Sequence, residues 1–136
     1  MLEFIAARGS ASFLQTPAWA RVKSEWRGER VGFYDGDELT GVGLILYRKL
    51  PKLPRYLAYL PEGPVLDWSR DDIAEHFDAL VTHVKKRQAF AVRIGPAVVH
   101  RIWGTKTIKT AIADDNITSL TEVEPDIVTP EGEHVV

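Results

Sequence analysis

Residues 56–68 read Tyr-Leu-Ala-Tyr-Leu-Pro-Glu-Gly-Pro-Val-Leu-Asp-Trp, and this stretch decides how the chain folds. Its first five residues alternate aromatic and small apolar groups, which is typical of a half-buried β-strand. Pro61 and Pro64 then end the strand, because proline cannot donate to a β-ladder and has a fixed φ. Gly63 can adopt a positive φ, so we expect this loop to bring backbone amides close to a ligand, although a plain strand-to-helix corner remains open.

A first helix is predicted upstream of this stretch. Thr16 and Pro17 are typical of a helix start, with a hydroxyl at the N-cap and a proline at the first helical position. Trp19, Val22 and Trp26 recur at helical spacing, and we expect the helix to continue until Gly28. Lys23 lies within the same stripe at 100° per residue and should point along the packed face.

A hairpin is predicted between this helix and the central strand. Residues 31–34 and 39–47 are expected to form its strands around an Asp35-Gly36 turn, which is a strong hairpin pattern. Gly41 and Gly43 suggest a bulge or a close approach by another backbone. Tyr56–Leu60 would then add a third strand beside the hairpin.

A second helix and a further strand are predicted after Trp68. Ser69 followed by Asp72 matches a capping box. Residues 90–94 form an apolar strand, and a strand, a helix and a strand in succession predict a parallel pair. The sequence therefore predicts an α/β (α+β) fold, a mixed sheet flanked by helices. The expected buried stripe of the second helix consists of Ile73, Phe77, Leu80, Val81 and Val84.

The composition fits one globular domain in the cytoplasm. The 136 residues are 45% hydrophobic and 26% charged, and no cysteine is present, which excludes disulfides, zinc-thiolate sites and cysteine nucleophiles. The N-terminus carries an acid where a signal peptide needs positive charge, and no run approaches the ~20 apolar residues of a membrane span.

Charge is distributed unevenly along the chain. All 17 Lys and Arg lie in residues 1–110, whereas residues 111–136 contain acids and no Lys or Arg. A basic body suits a phosphate-bearing ligand. The loop from Arg48 to Arg55 has four cations and could contact tRNA or anionic lipid head groups, or could simply be solvated.

No motif indicates a metal or a bound cofactor. His76 and His83 are two helical turns apart, about 10 Å along the axis, which is too far for one metal without further ligands. Nucleophile-elbow, Walker and Gly-x-Gly-x-x-Gly patterns do not occur.

Three stretches together resemble the FemABX family of aminoacyl-tRNA-dependent peptidyltransferases, which build peptidoglycan cross-bridges. They are residues 13–23 (Phe-Leu-Gln-Thr-Pro-Ala-Trp-Ala-Arg-Val-Lys), residues 56–68, and residues 90–96 (Phe-Ala-Val-Arg-Ile-Gly-Pro). The resemblance covers roughly residues 12–130 and corresponds to the first half of a family member. It implies a GNAT-type fold and aminoacyl-tRNA as a co-substrate, with no other cofactor.

The resemblance also implies site residues. The family's Trp-Ala-x-Val-Lys lysine contacts the diphosphate of the peptidoglycan precursor, which here would be Lys23; a lysine that packs its stem and leaves its ammonium in water is the alternative. Arg93 lies near the C-terminal end of its strand, where ligands gather, although a salt bridge to the following helix is equally open. The predicted substrate-binding residues are Lys23, Trp26, Tyr59, Gly63 and Arg93.

The family's catalytic group is not evident in this sequence. Family members often carry Arg-x-Asp-Pro, and that Asp has been proposed as a catalytic group, but this chain has Gly95 in the Asp position. Glycine cannot act as a base, so no catalytic residue is predicted.

We therefore expect a single N-terminal GNAT-like domain or part of one over residues 1–136, with a core at about 12–96 and an irregular, acidic end at 97–136. Its expected partners are lipid II or UDP-MurNAc-pentapeptide, aminoacyl-tRNA, the inner membrane surface and a missing C-terminal domain, without which it should be inactive. The alternatives are a binding module for a phosphorylated ligand or protein partner and an acyl-CoA-dependent N-acyltransferase. The latter is disfavoured because Glu38 begins the nearest match to a coenzyme A pyrophosphate loop, Glu38–Gly43.

Overall fold

The structure is a computed structural model that describes residues 1–8 and 11–135, with side chains described as far as Glu133. The chain divides into two compact units, residues 1–97 and residues 98–136, each of which is described by itself. The expectation that residues 1–136 form a single N-terminal domain or part of one stays a prediction. In the described ranges no helix is both long and apolar enough to cross a bilayer.

The first unit is built on a mixed sheet, as the sequence predicts. The strands are β1 (Arg27–Asp35), β2 (Glu38–Lys49), β3 (Tyr56–Leu60), β4 (Val65–Leu66) and β5 (Ala89–Ile94). They lie in the order β1-β2-β3-β5, and β4 pairs with β2 beyond the end of β3. All neighbours are antiparallel except β3 and β5, which are parallel and joined by a helix.

The predicted hairpin is confirmed, and so is its irregularity. Gly36 occupies the turn with φ of 57°, a conformation that favours glycine. The register shifts between Phe33 and Tyr34, which leaves Thr40 as an extra residue on β2. A Cβ on Gly41 would lie 2.0 Å from the Leu66 side chain, so the close approach of β4 requires a glycine there.

The Gln15 side chain supplies hydrogen bonds where the pairing of β3 with β2 ends. The loop at 61–64 interrupts the ladder, and the fully buried carboxamide of Gln15 lies in the gap. Its Oε1 accepts a hydrogen bond from the Leu44 N–H (2.9 Å), and its Nε2 donates to the Pro61 carbonyl (2.6 Å). One side chain thus takes the place of a peptide unit between two separated strand segments.

The helices that flank the sheet begin and end at different residues from those predicted. The helix predicted to continue until Gly28 ends at Val22, whose side chain is 64% exposed, and Gly28 lies in β1. The prediction that Val22 and Trp26 continue the apolar stripe of this helix is therefore wrong. The chain turns after Val22 because it must enter the edge strand β1. The observed helices of the first unit are α1 (Leu2–Ala6), α2 (Pro17–Val22) and α3 (Ile73–Lys86).

The predicted capping box is also wrong. Asp72, not Ser69, is the N-cap of α3, and no side chain caps the helix there. Ser69 bonds to Asp67, while the Asp72 carboxylate accepts hydrogen bonds from Arg70. Local side-chain pairs therefore compete successfully with the cap.

The core lies where α3 covers the sheet. Residues 41–47 of β2 are all buried, as expected of a strand with neighbours along both edges. From α3, Leu80 and Val84 are buried as predicted, whereas Ile73, Phe77 and Val81 are half-buried. His76 is the third buried residue of α3, a position the apolar pattern did not indicate.

The second unit is small and contains a helix of about two turns. This helix is α4 (Thr105–Ile112), and Asp126 accepts hydrogen bonds from the Gly104 N–H and the Thr107 hydroxyl at its start. Short strands β6 (Arg101–Ile102) and β7 (Ile127–Val128) pair antiparallel, and α5 (Pro130–Val135) follows. The acidic end is thus more regular than predicted.

The Gln15 bridge predicts a double-mutant result. Gln15→Ala leaves a buried N–H and a buried carbonyl without partners, which should lower the free energy of unfolding by roughly 2–5 kcal/mol in urea denaturation. Gly63→Ala should cost about 1–3 kcal/mol, because its Cβ would lie 2.2 Å from the Gln15 carboxamide.

The two costs should be less than additive, because Gln15→Ala removes the group that the new methyl meets. Gly95→Ala is the matched control: nothing lies within 4 Å of its Cβ, and the expected change is within about 0.5 kcal/mol. Strict additivity of Gln15→Ala and Gly63→Ala would contradict the packing described here.

Candidate functional site

Four cationic and aromatic side chains form a continuous array on the sheet. The Trp26 and Tyr59 rings lie 6.2 Å apart between centroids, at an interplanar angle of 53°. The Arg93 guanidinium lies 5.7 Å from the Tyr59 centroid, and the Arg48 guanidinium lies 5.6 Å from that of Trp26. The order Arg48, Trp26, Tyr59, Arg93 therefore places two adjacent half-buried aromatic rings between two positive charges.

Strand register explains why these residues meet. Tyr59 on β3 is paired with Arg93 on β5 and with Leu46 on β2, so all three face the same side of the sheet. Arg48 lies two residues after Leu46 and shares that face. Three of the predicted site residues, Trp26, Tyr59 and Arg93, are thus brought together.

Arg93 belongs to this array. Within the described part of the first unit it forms no salt bridge, and the bridge to the following helix, which belongs to the second unit, stays a prediction. Its side chain is exposed beyond the tyrosine ring. A guanidinium in this state can still bind a phosphate or carboxylate in bidentate fashion.

Lys23 lies at the turn that leads into the array. It is the C-cap of α2, and the Trp26 N–H donates to the Lys23 carbonyl, so the two residues bracket one tight turn. The ammonium lies 5.3 Å from the Trp19 ring centroid, and the residue is half-buried. The lysine therefore packs on a tryptophan, as the helical spacing predicted, although it lies past the end of the helix.

Gly63 is placed differently from the prediction. Its φ is not positive, and the left-handed residue of this loop is Glu62, with φ of 48°. Gly63 is buried, its N–H donates to the Leu60 carbonyl, and its own carbonyl accepts from the Gly95 N–H. It is required for contact with Gln15, and its polar backbone groups are already bonded within the protein.

Arg48 is the member of the array that sequence reasoning missed. We assigned it to the basic loop, yet β2 extends through Lys49 and positions it as a strand residue. The alternation that places Leu46 and Arg48 on one face could have revealed it, but the run of cations and prolines after Tyr47 concealed the end of the strand.

A groove of about 570 Å³ lies between β1 and α3 on the other face, and Glu29 is its most highly bonded side chain. Glu29 accepts hydrogen bonds from the Tyr47 hydroxyl (2.7 Å) and from Arg87 (2.9 Å), and His83 Nε2 lies 3.2 Å away. Burial raises the pKa of Glu29, but its contacts with Tyr47, Arg87 and His83 outweigh this effect and hold the pKa below its usual range. Burial and the Glu29 carboxylate raise the pKa of Tyr47.

The histidines of α3 do not form a metal site. His76 is buried, with Nε2 2.8 Å from the Thr40 hydroxyl and Nδ1 3.0 Å from the Asp72 carbonyl, so both nitrogens have partners in the fold. His83 faces Glu29. Across the described residues no group of three or more His, Asp or Glu side chains could hold a metal ion.

The residues that partly match a coenzyme A pyrophosphate loop, Glu38–Gly43, are part of the sheet. Residues 38–43 lie within β2, as predicted, where they pair with β1 and, at Gly41 and Val42, with β4. Their backbone groups therefore belong to β-ladders and do not form a loop before a helix.

A model of the FemAB family matches residues 2–123. The chain belongs to the FemAB family. Among curated relatives, a lipid II:glycine glycyltransferase from Staphylococcus saprophyticus is 34% identical over 98 residues, which are 70% of this chain and 24% of that protein. The protein of the same name from Staphylococcus haemolyticus is 35% identical over 98 residues, covering 70% of this chain and 23% of that protein.

A solved structure entitled "Crystal structure of FemX" is also similar. It aligns with a TM-score of 0.60 and 30% identity over 82% of this chain and 28% of its own. This FemAB chain thus spans about a quarter of the length of the relatives it matches. The family model confirms the predicted family, and the mixed sheet flanked by helices confirms the predicted α+β fold, whereas the GNAT likeness stays a prediction.

The contacts of Glu29 with Tyr47, Arg87 and His83 predict a change in stability with pH. A carboxyl whose pKa is depressed by folding stabilises the protein above its unfolded pKa of about 4.3, and this contribution is lost as the pH falls through the folded pKa. Glu29→Gln should therefore lower the free energy of unfolding at pH 7 by about 1 kcal/mol, and the deficit should shrink below pH 4.

Urea denaturation from pH 3 to pH 7 measures this effect. Glu25→Gln, an exposed acid in the turn before β1, serves as the control and should run parallel to the unsubstituted protein. A deficit of Glu29→Gln that is constant across this range would contradict the assignment.

Proposed function

We propose that this chain is the N-terminal part of an aminoacyltransferase that adds an amino acid from aminoacyl-tRNA to the stem peptide of a peptidoglycan precursor. The precursor would be lipid II or a UDP-MurNAc-peptide, and the reaction would take place in the cytoplasm. The observation that carries the proposal is the array of Arg48, Trp26, Tyr59 and Arg93 beside the Lys23 turn, in a chain of the FemAB family.

The array has the chemistry that a precursor diphosphate needs. Guanidinium groups bind phosphate oxygens through paired N–H donors, and an ammonium adds a compact charge. The half-buried rings of Trp26 and Tyr59 provide a flat apolar surface on which a sugar or base can pack. Lys23, Trp26, Tyr59 and Arg93 are proposed to bind substrate, while Gly63 shapes the loop next to the array.

The proposed reaction is aminolysis of an activated ester. It needs a neutral amine as nucleophile, a positioned carbonyl and cations on the phosphates of the acceptor. This chain would supply binding and orientation of the acceptor. Gly95 has no side chain, so the proton of the amine must be accepted elsewhere, and we propose that a further domain supplies that group and the tRNA site.

Titration calorimetry with UDP-MurNAc-pentapeptide tests the phosphate role. We expect binding by the protein, and we expect Lys23→Ala and Arg93→Ala each to weaken it about 10- to 100-fold, the cost of one charged hydrogen bond. Arg21→Ala is the nearby control, an exposed cation on α2, and should leave the affinity unchanged.

Two results would contradict the proposal. Affinity that Lys23→Ala and Arg93→Ala leave unchanged would remove both residues from the site. If acetyl-CoA raised the melting temperature while the UDP-muropeptide did not, an acyl-CoA-dependent transferase would replace the proposed function.

A further inference from the structure

The strand directions of the first unit bring cations from three elements, the β2–β3 turn, β1 and α3, to one end of the sheet. The β2–β3 turn, the first residues of β1 and β5, and the last turn of α3 all lie at this end. The Tyr56 N–H donates to the Gln88 carbonyl and so ties the end of α3 to the start of β3. We call this surface the basic end.

The β2–β3 turn is the most exposed part of the basic end. Arg48, Lys49, Lys52 and Arg55 are all exposed, and residues 48–55 contain no acid. Lys52 adopts φ of 68°, which reverses the chain at the tip. Four cations on one short turn match the charge pattern of segments that bind anionic lipid head groups.

The neighbouring elements extend the charge. The last turn of α3 adds exposed Lys85 and Lys86, and β1 begins with Arg27. Two acids lie nearby: Glu29, whose charge is met by Arg87, and exposed Glu25. The surface therefore keeps a clear positive excess.

The opposite end of the same sheet is acidic. The β1–β2 turn contributes Asp35, Asp37 and Glu38, and the start of α3 contributes Asp71 and Asp72, against Arg70, which pairs with Asp35 and Asp72. The first unit is thus polarised along its strands. A polarised body is oriented by a negatively charged surface, with its basic end toward that surface.

An apolar tip distinguishes a membrane from a nucleic acid as the partner. Leu53 is 56% exposed in the middle of the cationic turn, where its side chain can enter the head-group layer. Single-stranded RNA is bound by rows of open aromatic faces. At this end Arg27 lies over Tyr47 and Tyr56, while Phe90, at the start of β5, is 53% exposed and adds a single open ring.

We propose that the basic end docks this protein on an anionic membrane surface, with Leu53 among the head groups. The inference stands on charge and exposure in the first unit and does not depend on the transferase reaction. Docking in this way would hold the array close to a lipid-linked acceptor, because Arg48 belongs both to the array and to the basic end.

Vesicle flotation tests the proposal. The protein should bind phosphatidylcholine vesicles that contain phosphatidylglycerol and should not bind pure phosphatidylcholine, and binding should weaken as salt is raised. Lys49→Gln with Arg55→Gln should weaken binding on the order of twentyfold, from about fivefold per cation removed. Lys106→Gln with Lys109→Gln, on exposed positions of α4, is the matched control and should bind as the unsubstituted protein does.

Insertion of the tip has a separate readout. The quantity measured is tryptophan fluorescence relative to the unsubstituted protein, in anionic vesicles that contain brominated lipids. The fluorescence that Leu53→Trp adds should be quenched by these lipids. The fluorescence that Ile112→Trp adds, at a site 79% exposed in the second unit, should not be quenched.

Three results would overturn the proposal. The first is no flotation with anionic vesicles, and the second is an equal loss of vesicle binding in the α4 control. The third is that the protein does not bind vesicles but binds bulk tRNA, and that this binding requires Lys49 and Arg55. The last result would assign the basic end to RNA.

Discussion

The first unit depends on one buried side chain that acts as a piece of backbone. The sheet is interrupted where β3 gives way to β4, and Gln15 closes the gap with two hydrogen bonds to Leu44 and Pro61. Unpaired backbone groups in this fully buried position would be costly, so the loop at 61–64 can leave the ladder only because Gln15 fills it. The same loop ends β3 just beyond Tyr59, which carries the centre of the array.

Two faces and two ends of one small sheet carry different chemistry. One face presents the array of cations and aromatic rings, while the other is covered by α3 and secured by Glu29. The strand direction separates positive from negative charge. Phosphate recognition and membrane docking can therefore share one body, because the array extends from the basic end toward the middle of the sheet through Arg48 and Trp26.

The sequence was most informative where periodicity was long or turn chemistry was specific. The hairpin at Asp35-Gly36, the bulge near Gly41 and the parallel strand after α3 follow from such patterns, and the family followed from three short motifs. The first helix was predicted too long because apolar spacing does not reveal an early turn before an edge strand. Local bonds of Ser69 and Asp72 likewise displaced the predicted cap.

Long-range contacts explain what sequence reasoning missed at the site. Gly63 was interpreted as a ligand-facing glycine, but Gln15, 48 positions upstream, occupies the space that its side chain would fill. Arg48 was missed because the cations and prolines after Tyr47 concealed how far β2 extends, and the pairing of Leu46 with Tyr59 brings Arg48 to the face of the array.

The most direct test of the central claim is a nuclear magnetic resonance titration of the protein with UDP-MurNAc-pentapeptide. The account predicts that the Trp26 indole N–H and the Arg93 side-chain resonances shift, while amides along the β1–α3 groove do not. Shifts confined to the groove, with the Trp26 and Arg93 resonances unchanged, would contradict it.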